Sequence, residues 1–121
     1  MHRKVSQKYC LGIDLDSKCR WDLLRRYFNL RNAFPNERII VYETRHGYHI
    51  ILPDVETDLE LRQIYGDDTM RIEFEEKRSK AHNRKPQDIL FHVKRIVQKG
   101  KIVSSYTREV INIFAEPFWS N

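Results

Sequence analysis

The sequence is poor in cysteine and has no long apolar run, and each scarcity excludes a class of protein. Two cysteines, nine positions apart, form neither a disulfide framework nor a zinc cluster. No stretch approaches the ~18 consecutive apolar residues of a membrane helix. The first ten residues lack the apolar segment of a signal peptide. We therefore expect a cytoplasmic protein in a reducing compartment, with no membrane partner.

The composition predicts one folded domain over residues 1–121. Hydrophobic residues make up 40% of the chain and aromatic residues 12%, which argues against disorder. A domain of this size buries roughly two-thirds of its unfolded surface. There are no internal repeats and no low-complexity segments.

The net charge of +5 is unevenly distributed along the chain. Residues 54–76 carry nine acidic and two basic groups, whereas residues 77–108 carry ten basic groups and one acidic group. This segregation indicates two separate surfaces. The basic segment suits a phosphate backbone, although a solvated surface explains it equally well.

Periodicity predicts a strand, a helix and a hairpin in the first half of the chain. Residues 8–16 alternate strictly, as in a half-buried strand. Asp16 or Ser17 can cap a helix that ends near Asn32. Residues 38–44 and 48–52 form a hairpin around residues 45–47. The inward helix positions are predicted to be Trp21, Leu24 and Phe28, and Pro53 is predicted to end the third strand.

The second half predicts a second helix and further strands. Thr57 or Asp58 caps this helix, and Gly66 ends it. Residues 69–76 alternate like a fourth strand, residues 77–87 read as a polar loop, and residues 88–95 and 108–114 read as strands separated by a turn at Gly100. The predicted inward positions are Leu61, Ile64 and Tyr65 on the helix, and Met70, Ile72 and Phe74 on the strand.

These elements predict an α+β fold in the order β-α-β-β-α-β, as in ferredoxin-like and RRM-like domains, with one or two extra C-terminal strands. Both helices then cover one sheet face and leave the other open, and the first and third strands lie side by side at the centre of the sheet with the fourth beside the first. Strand alternation places five polar residues on that open face: Asp14, Asp16, His49, Arg71 and Glu73. Clustered carboxylates repel one another unless a cation binds them. The pattern therefore favours Mg²⁺ or Mn²⁺ and phosphoryl or nucleotidyl transfer. The alternative is that Asp14 and Asp16 are polar residues at a strand end where a helix begins.

Three segments resemble the motifs of the archaeo-eukaryotic primase superfamily. LGIDLD at 11–16 is similar to its Asp-x-Asp motif, TRHGYHIIL at 44–52 to its His motif, and MRIEFE at 70–75 to its third, acidic motif. The resemblance spans residues 9–95. It implies an RRM-like core that transfers nucleotides in DNA replication, in an archaeal virus or plasmid, with a DNA or RNA template. A replication partner protein, a homo-oligomer and, for a virus, the host cytoplasm are compatible with it.

The resemblance implies a role for each matching residue. Asp14, Asp16 and Glu73 would hold the metal and catalyse, and His49 would contact the incoming nucleotide. Further phosphate contacts are predicted for Arg71, Arg45 and Lys94, and nucleic-acid contacts for Lys80, Arg84, Lys85 and Arg95. Alternatives for the third acid are Glu75, Glu76, Asp67 and Asp68.

Three other functions compete with this interpretation. An HUH-type replication nuclease needs two histidines on one strand face, whereas His46 and His49 are three apart. Its nucleophile would be Tyr106. An RNA-binding RRM stacks bases on sheet aromatics, but Asp14, Asp16 and His49 occupy those positions. A catalytically inactive accessory protein that binds nucleic acid through residues 77–108 remains the main alternative.

Overall fold

A computed structural model describes residues 5–90, 93–98, 101–106, 108–110 and 113, with side chains at 5–90, 108–110 and 113. A short 3-10 turn, Gln7–Tyr9, leads into the first strand. The strands are β1 (Cys10–Leu15), β2 (Ile40–Glu43), β3 (Tyr48–Glu56), β4 (Val93–Gln98), β5 (Lys101–Tyr106) and β6 (Arg108–Val110). The helices are α1 (Arg20–Ala33), α2 (Leu59–Ile64) and α3 (Thr69–Ala81). The predicted α+β class is confirmed.

Four strands form an antiparallel sheet in the order β1-β3-β2-β6, and β4 pairs with β5 in a separate two-stranded sheet. The predicted β2–β3 hairpin and the neighbouring position of β1 and β3 are confirmed. However, β1 lies at an edge of the sheet rather than at its centre.

The core lies between the sheet and α1. Alternation along β1 directs Leu11, Ile13 and Leu15 to this side, as predicted, and each is at most 5% exposed. Fully burying one such side chain stabilises the fold by about 1.5–3 kcal/mol. The remaining core residues include Leu23, Leu30, Val41, Tyr48, Ile50 and Leu52.

The predicted inward stripe of α1 is wrong at two of its three positions, Trp21 and Phe28. Trp21 is 74% exposed and Phe28 is 49% exposed, whereas Leu23 and Leu30 are fully buried. Both stripes have helical spacing, so periodicity alone could not tell which one faces the sheet. Leu24 lies between the two stripes and packs against the edge of the core.

Pro53 does not end β3, which continues to Glu56. The β1–β3 register is irregular between Cys10, opposite Glu56, and Leu11, opposite Leu52. Pro53 therefore lies beside a bulge, where a residue without a backbone N–H is tolerated.

The boundaries of α2 are confirmed, but one of its predicted inward residues is exposed. The Asp58 carboxylate accepts the N–H groups of Glu60 at 2.8 Å and Leu61 at 3.1 Å, as expected of an N-cap. Gly66 follows the helix at φ 78°, a conformation that favours glycine. Ile64 is 63% exposed rather than buried.

The predicted fourth strand at residues 69–76 is wrong, because this segment is the first part of α3. The Asp68 carboxylate caps the helix by accepting the Met70 N–H at 2.8 Å. Helix-forming Glu, Lys and Arg follow, and the buried positions have helical spacing. Those positions are Ile72, Glu75 and Ser79. Met70 and Phe74, predicted to be inward, are 77% and 64% exposed.

The elements after α3 are predicted only in part. The predicted loop at 77–87 begins inside α3. β4 overlaps the strand predicted at 88–95, β5 was not predicted, and β6 occupies the first part of 108–114. Gly100 lies outside the described residues. The β-α-β-β-α-β order is thus not confirmed. None of the helices in the described part of the chain combines the length and apolar character needed to cross a membrane.

Candidate functional site

Asp14 and His49 face each other across β1 and β3. They are direct register partners, and His49 Nε2 lies 3.5 Å from Asp14 Oδ1. The predicted juxtaposition of these two side chains is confirmed. The second face of the sheet, opposite α1, is not open at this point, because the His49 side chain is 1% exposed and the Asp14 side chain 25%.

Asp16 and the β2–β3 turn lie at the same end of the sheet as this pair. Asp16 follows the last residue of β1 and is exposed, as are Arg45 and His46 in the turn. Gly47 closes the turn, and a Cβ at this position would lie 1.8 Å from the Leu15 carbonyl oxygen. Only glycine allows the turn to pack this closely against β1, so Gly47 fixes the position of His49 beside Asp14.

Glu73 does not join these residues. It lies on α3 and is exposed, because the segment that carries it is a helix. Within the residues that the structure describes, no group of three or more His, Cys, Asp or Glu side chains is arranged to hold a metal ion. The predicted set of Asp14, Asp16 and Glu73 is therefore not assembled as a three-carboxylate centre there.

Arg71, predicted to contact a nucleotide, belongs instead to a buried ionic network. Arg71 Nη1 lies 2.7 Å from Asp67 Oδ2, and its guanidinium also bonds Asp88 Oδ1. Arg62 Nε donates to Asp67 Oδ2 at 2.8 Å. Both Asp side chains are fully buried, and Arg62 is 1% exposed. Thr57 completes the network by donating its hydroxyl to Asp88 Oδ2 at 2.8 Å.

This network binds the outer edge of β1. The Gly12 N–H donates to Asp88 Oδ2 at 2.7 Å, and the Asp14 N–H donates to Asp67 Oδ1 at 2.8 Å. Arg71 Nη1 lies 3.3 Å from the Gly12 carbonyl oxygen. These backbone groups point away from β3, so they are the ones that a further strand beside β1 would pair with. Side chains of the network take that role in the described structure.

The network engages Arg71, predicted to contact a nucleotide, and Asp67, an alternative third acid. Although burial disfavours the charged form, Asp88 and Asp67 outweigh it and hold the pKa of Arg71 above its ordinary value. The Arg71 guanidinium is therefore a fixed cation of the fold. Asp67, an alternative third acid, is likewise committed to two arginines and the β1 backbone.

A second buried ionic cluster is centred on the Glu43 carboxylate, at the end of β2 on the core side. Its oxygens are 3.0 Å from Lys18 Nζ and 2.8 Å from Arg108 Nη2. The lysine also donates to the Thr44 carbonyl at 2.9 Å. This arrangement ties the segment before α1 and strand β6 to β2.

The basic segment after residue 76 contains both structural and solvent-exposed cations. Arg84 Nη1 lies 2.7 Å from Glu75 Oε2 and is 21% exposed, so it holds the segment that follows α3. Lys80 pairs with Glu76 and Lys85 with Glu56, but their side chains are 75% and 61% exposed. The side chains of Lys94 and Arg95 on β4, and of Tyr106 on β5, lie outside the described residues.

Glu75 is the anion that Arg84 engages. Burial alone would raise the pKa of this carboxyl. The hydrogen bonds from Arg84 and from the Gln87 N–H, together with the charges of Arg84 and Arg78, outweigh burial and hold the pKa below its ordinary value. This carboxylate thus holds the segment that follows α3 against the helix.

An exposed aromatic ring lies beside the cations on α3. The Arg78 guanidinium lies 5.7 Å from the centre of the Phe74 ring, within the range of a cation–π contact. We call the exposed residues Lys77, Arg78, Lys80 and Lys85 the α3 basic surface.

A cavity of about 530 Å³ lies on the second face of the sheet. Its walls are mainly apolar and include Ile40, Ile51 and Leu90. Cys10 also lines it, and burial, followed by the charge of Asp88, raises the pKa of this thiol. A Cβ at Gly12 would meet Leu90 Cδ1 at 2.8 Å, so this glycine permits the close approach of the segment before β4.

Sequence reasoning missed the network around Arg62 and the buried Glu43. One signal was visible, because Asp88 is the sole acidic residue among ten basic ones between 77 and 108. Because an aspartate is almost never fully buried unless it is paired, a single acid among many cations is a candidate for a buried ion pair. Comparison of the chain with protein-family models, with curated proteins and with solved structures yields no match.

Proposed function

We propose that the protein binds nucleic acid through the α3 basic surface. The observation that carries this proposal is the exposure of four cations, Lys77, Arg78, Lys80 and Lys85, within nine residues on one helix end and the segment that follows it. Cations clustered in this way attract a phosphate backbone over a distance of several ångströms and release its counterions on binding.

The ion pairs on this surface do not oppose the proposal. Lys80 and Lys85 face Glu76 and Glu56 in exposed positions, and such surface pairs contribute at most about 1 kcal/mol. A phosphate can therefore replace the carboxylate of Glu76 or Glu56 as the partner of these lysines at little cost. Arg84 is excluded from the proposed contacts because it is engaged by the partly buried Glu75.

Charge reversal tests the proposal. The Lys77→Glu and Lys80→Glu variants should each weaken binding of a fluorescently labelled DNA duplex, and each should reduce the salt dependence of the affinity by about one phosphate contact. The matched control is Lys8→Glu, which makes the same change in net charge at an exposed site in the 3-10 turn. Equal effects of all three variants would show that only the net charge matters and would overturn the proposal.

A second candidate function is metal-dependent nucleotidyl transfer on a DNA or RNA template, as in the primase superfamily. The specific observation in its favour is the contact of Asp14 with His49 across neighbouring strands, the arrangement that the first two motifs imply. Asp14 and Asp16 would hold Mg²⁺ or Mn²⁺, and His49 with Arg45 would contact the nucleotide phosphates. Under this candidate, β1-α1-β2-β3 is the first half of an RRM-like core, and Glu73 has no catalytic role.

Incorporation of labelled nucleotides on a single-stranded template, with Mg²⁺ or Mn²⁺, tests the second candidate. Activity should be lost in Asp14→Asn and retained in Glu73→Gln, which alters an exposed carboxylate on α3. Absence of incorporation by the wild-type protein with both metals would remove this candidate and leave the binding proposal intact. In that case the protein would be a non-catalytic replication accessory protein.

A further inference from the structure

We infer that the α3 basic surface binds single-stranded nucleic acid in preference to a duplex, because the exposed Phe74 ring stacks on an unpaired base. This inference rests on the proposed nucleic-acid binding and names the form of nucleic acid that the same surface takes. Its basis is the position of Phe74 on α3, next to two cations of that surface, Lys77 and Arg78.

The packing of α3 holds the Phe74 ring in solvent. Ile72, Glu75 and Ser79 are the buried positions of this helix, so it cannot rotate to bury Phe74 without exposing them. Phe74 is 64% exposed, and Met70, one turn earlier on the same side of the helix, is 77% exposed. The outer side of α3 thus presents a short apolar strip that leads into its basic end.

Among the described residues, no carboxylate forms an ion pair with the two cations nearest to Phe74 along α3. These cations, Lys77 and Arg78, follow the ring by three and four positions, where the side chains of a helix are neighbours about 5–6 Å apart at Cβ. The Arg78 guanidinium lies 5.7 Å from the centre of the ring. The other two cations of the α3 basic surface each face a carboxylate. The positive charge that a phosphate can meet without replacing an ion pair is therefore concentrated around Phe74.

An exposed ring between cations suits a single strand better than a duplex. Bases in a duplex are already stacked on one another and present only their edges in the grooves, whereas unpaired bases offer their faces to aromatic side chains. A base that stacks on Phe74 brings its own phosphates within reach of the long side chains of Lys77 and Arg78. A duplex engages these cations but leaves the ring in water. The single strand therefore gains one contact that the duplex lacks.

Removal of the ring tests this contact. Phe74→Ala should weaken binding of an oligodeoxythymidine of about 16 nucleotides by about 5- to 150-fold, as expected for the loss of one stacked base. Its affinity for a DNA duplex of the same length should not change. Phe74→Tyr keeps the aromatic ring and should bind the single strand like the wild type. The matched control is Ile64→Ala, which removes an apolar side chain of similar exposure, 63%, from α2 and should have no effect.

The salt dependence of binding separates stacking from charge. Phe74→Ala should lower the single-strand affinity by the same factor at every salt concentration, because an aromatic ring releases no counterions. Lys77→Gln should instead reduce the slope of log affinity against log salt by about 0.7, the value for one phosphate contact on a single strand. A reduced slope in Phe74→Ala would show that the ring acts through the cations and would overturn the inference.

The outcomes distinguish this inference from the proposed function. Unchanged single-strand affinity in Phe74→Ala would overturn the inference, while duplex binding that Lys77→Glu weakens would uphold the proposed function. Equal losses for single strand and duplex in Phe74→Ala would also overturn the inference, because a base within a duplex cannot stack on the ring. No binding of either nucleic acid by the wild type would overturn both. Self-association that Phe74→Ala abolishes would assign the ring to a second copy of the chain and would again overturn the inference.

Discussion

The carboxylate of Asp88 lies against the backbone of Gly12, 76 residues away in the chain, and accepts its N–H at 2.7 Å on the outer edge of β1. The same carboxyl group bonds the guanidinium of Arg71 on α3. Through these contacts α3 and the segment before β4 are fastened to an edge strand. The edge is thereby protected from pairing with strands of other molecules.

Removing the cation of this network should destabilise the fold strongly. Arg71→Met leaves the buried carboxylates of Asp67 and Asp88 with one cation fewer, and losing one partner of a buried pair costs roughly 3–5 kcal/mol. Arg78→Met is the matched control, because it makes the same change on the exposed side of α3 and should cost less than about 1 kcal/mol. Urea unfolding followed by circular dichroism measures both, and equal midpoints would contradict the structural role of Arg71.

The lowered pKa of Glu75 predicts that its carboxylate stabilises the folded protein at neutral pH and that this stabilisation is lost in acid. Its pKa is lower in the folded protein than the ordinary value of 4.5. The contribution is therefore fully present above that value and is lost as the pH falls through the folded-state pKa. Unfolding free energies measured between pH 6 and pH 3 should fall less steeply in Glu75→Gln than in the wild type. An unchanged pH dependence would show that the contact with Arg84 does not stabilise the fold.

Removing the charge of the buried Glu43 carboxylate should lower the stability of the fold. Glu43→Gln keeps the shape of the side chain but leaves Lys18 and Arg108 without the buried charge between them. Because both cations are partly exposed and can turn to water, we expect a loss of about 1–3 kcal/mol rather than complete unfolding. Thermal unfolding checks this, with Glu109→Gln on exposed β6 surface as the control.

Gly47 should not tolerate a side chain. In Gly47→Ala the new Cβ would overlap the Leu15 carbonyl oxygen, so the turn or the end of β1 must move. Overpacking of this kind costs about 1–3 kcal/mol, occasionally more. The shift should also separate His49 from Asp14, which NMR titration of the histidine ring would report. A stable variant with an unchanged His49 signal would contradict the proposed role of this turn.

The sequence correctly predicted which residues of β1 face the core. Strict alternation allows a single orientation of this strand in which Leu11, Ile13 and Leu15 are all buried. The pairing of Asp14 with His49 followed from that register. Residues 69–76 could not be resolved in the same way. Their alternation matches a strand, while the Asp68 cap and Ile72, Glu75 and Ser79 match a helix. Tertiary contacts decide between the two.

The geometry of the network around Asp88 was missed for a different reason. Its members come from α2, the link to α3, α3 itself and the segment before β4, and they are Arg62, Asp67, Arg71 and Asp88. Nothing in their local pattern specifies that they meet at the edge of β1. Once residues 69–76 are read as a strand, Arg71 and Glu73 fall on one sheet face. As a helix, α3 instead directs Arg71 to the network and Glu73 to solvent.

Nucleic-acid binding by the α3 basic surface is the central claim, and amide chemical-shift mapping tests it most directly. A 15N-labelled sample titrated with a short DNA duplex at low salt should show its largest shifts at residues 77–85. Those shifts should return toward their free values as salt is added. Shifts that are absent from residues 77–85, or that do not respond to salt, would contradict the account.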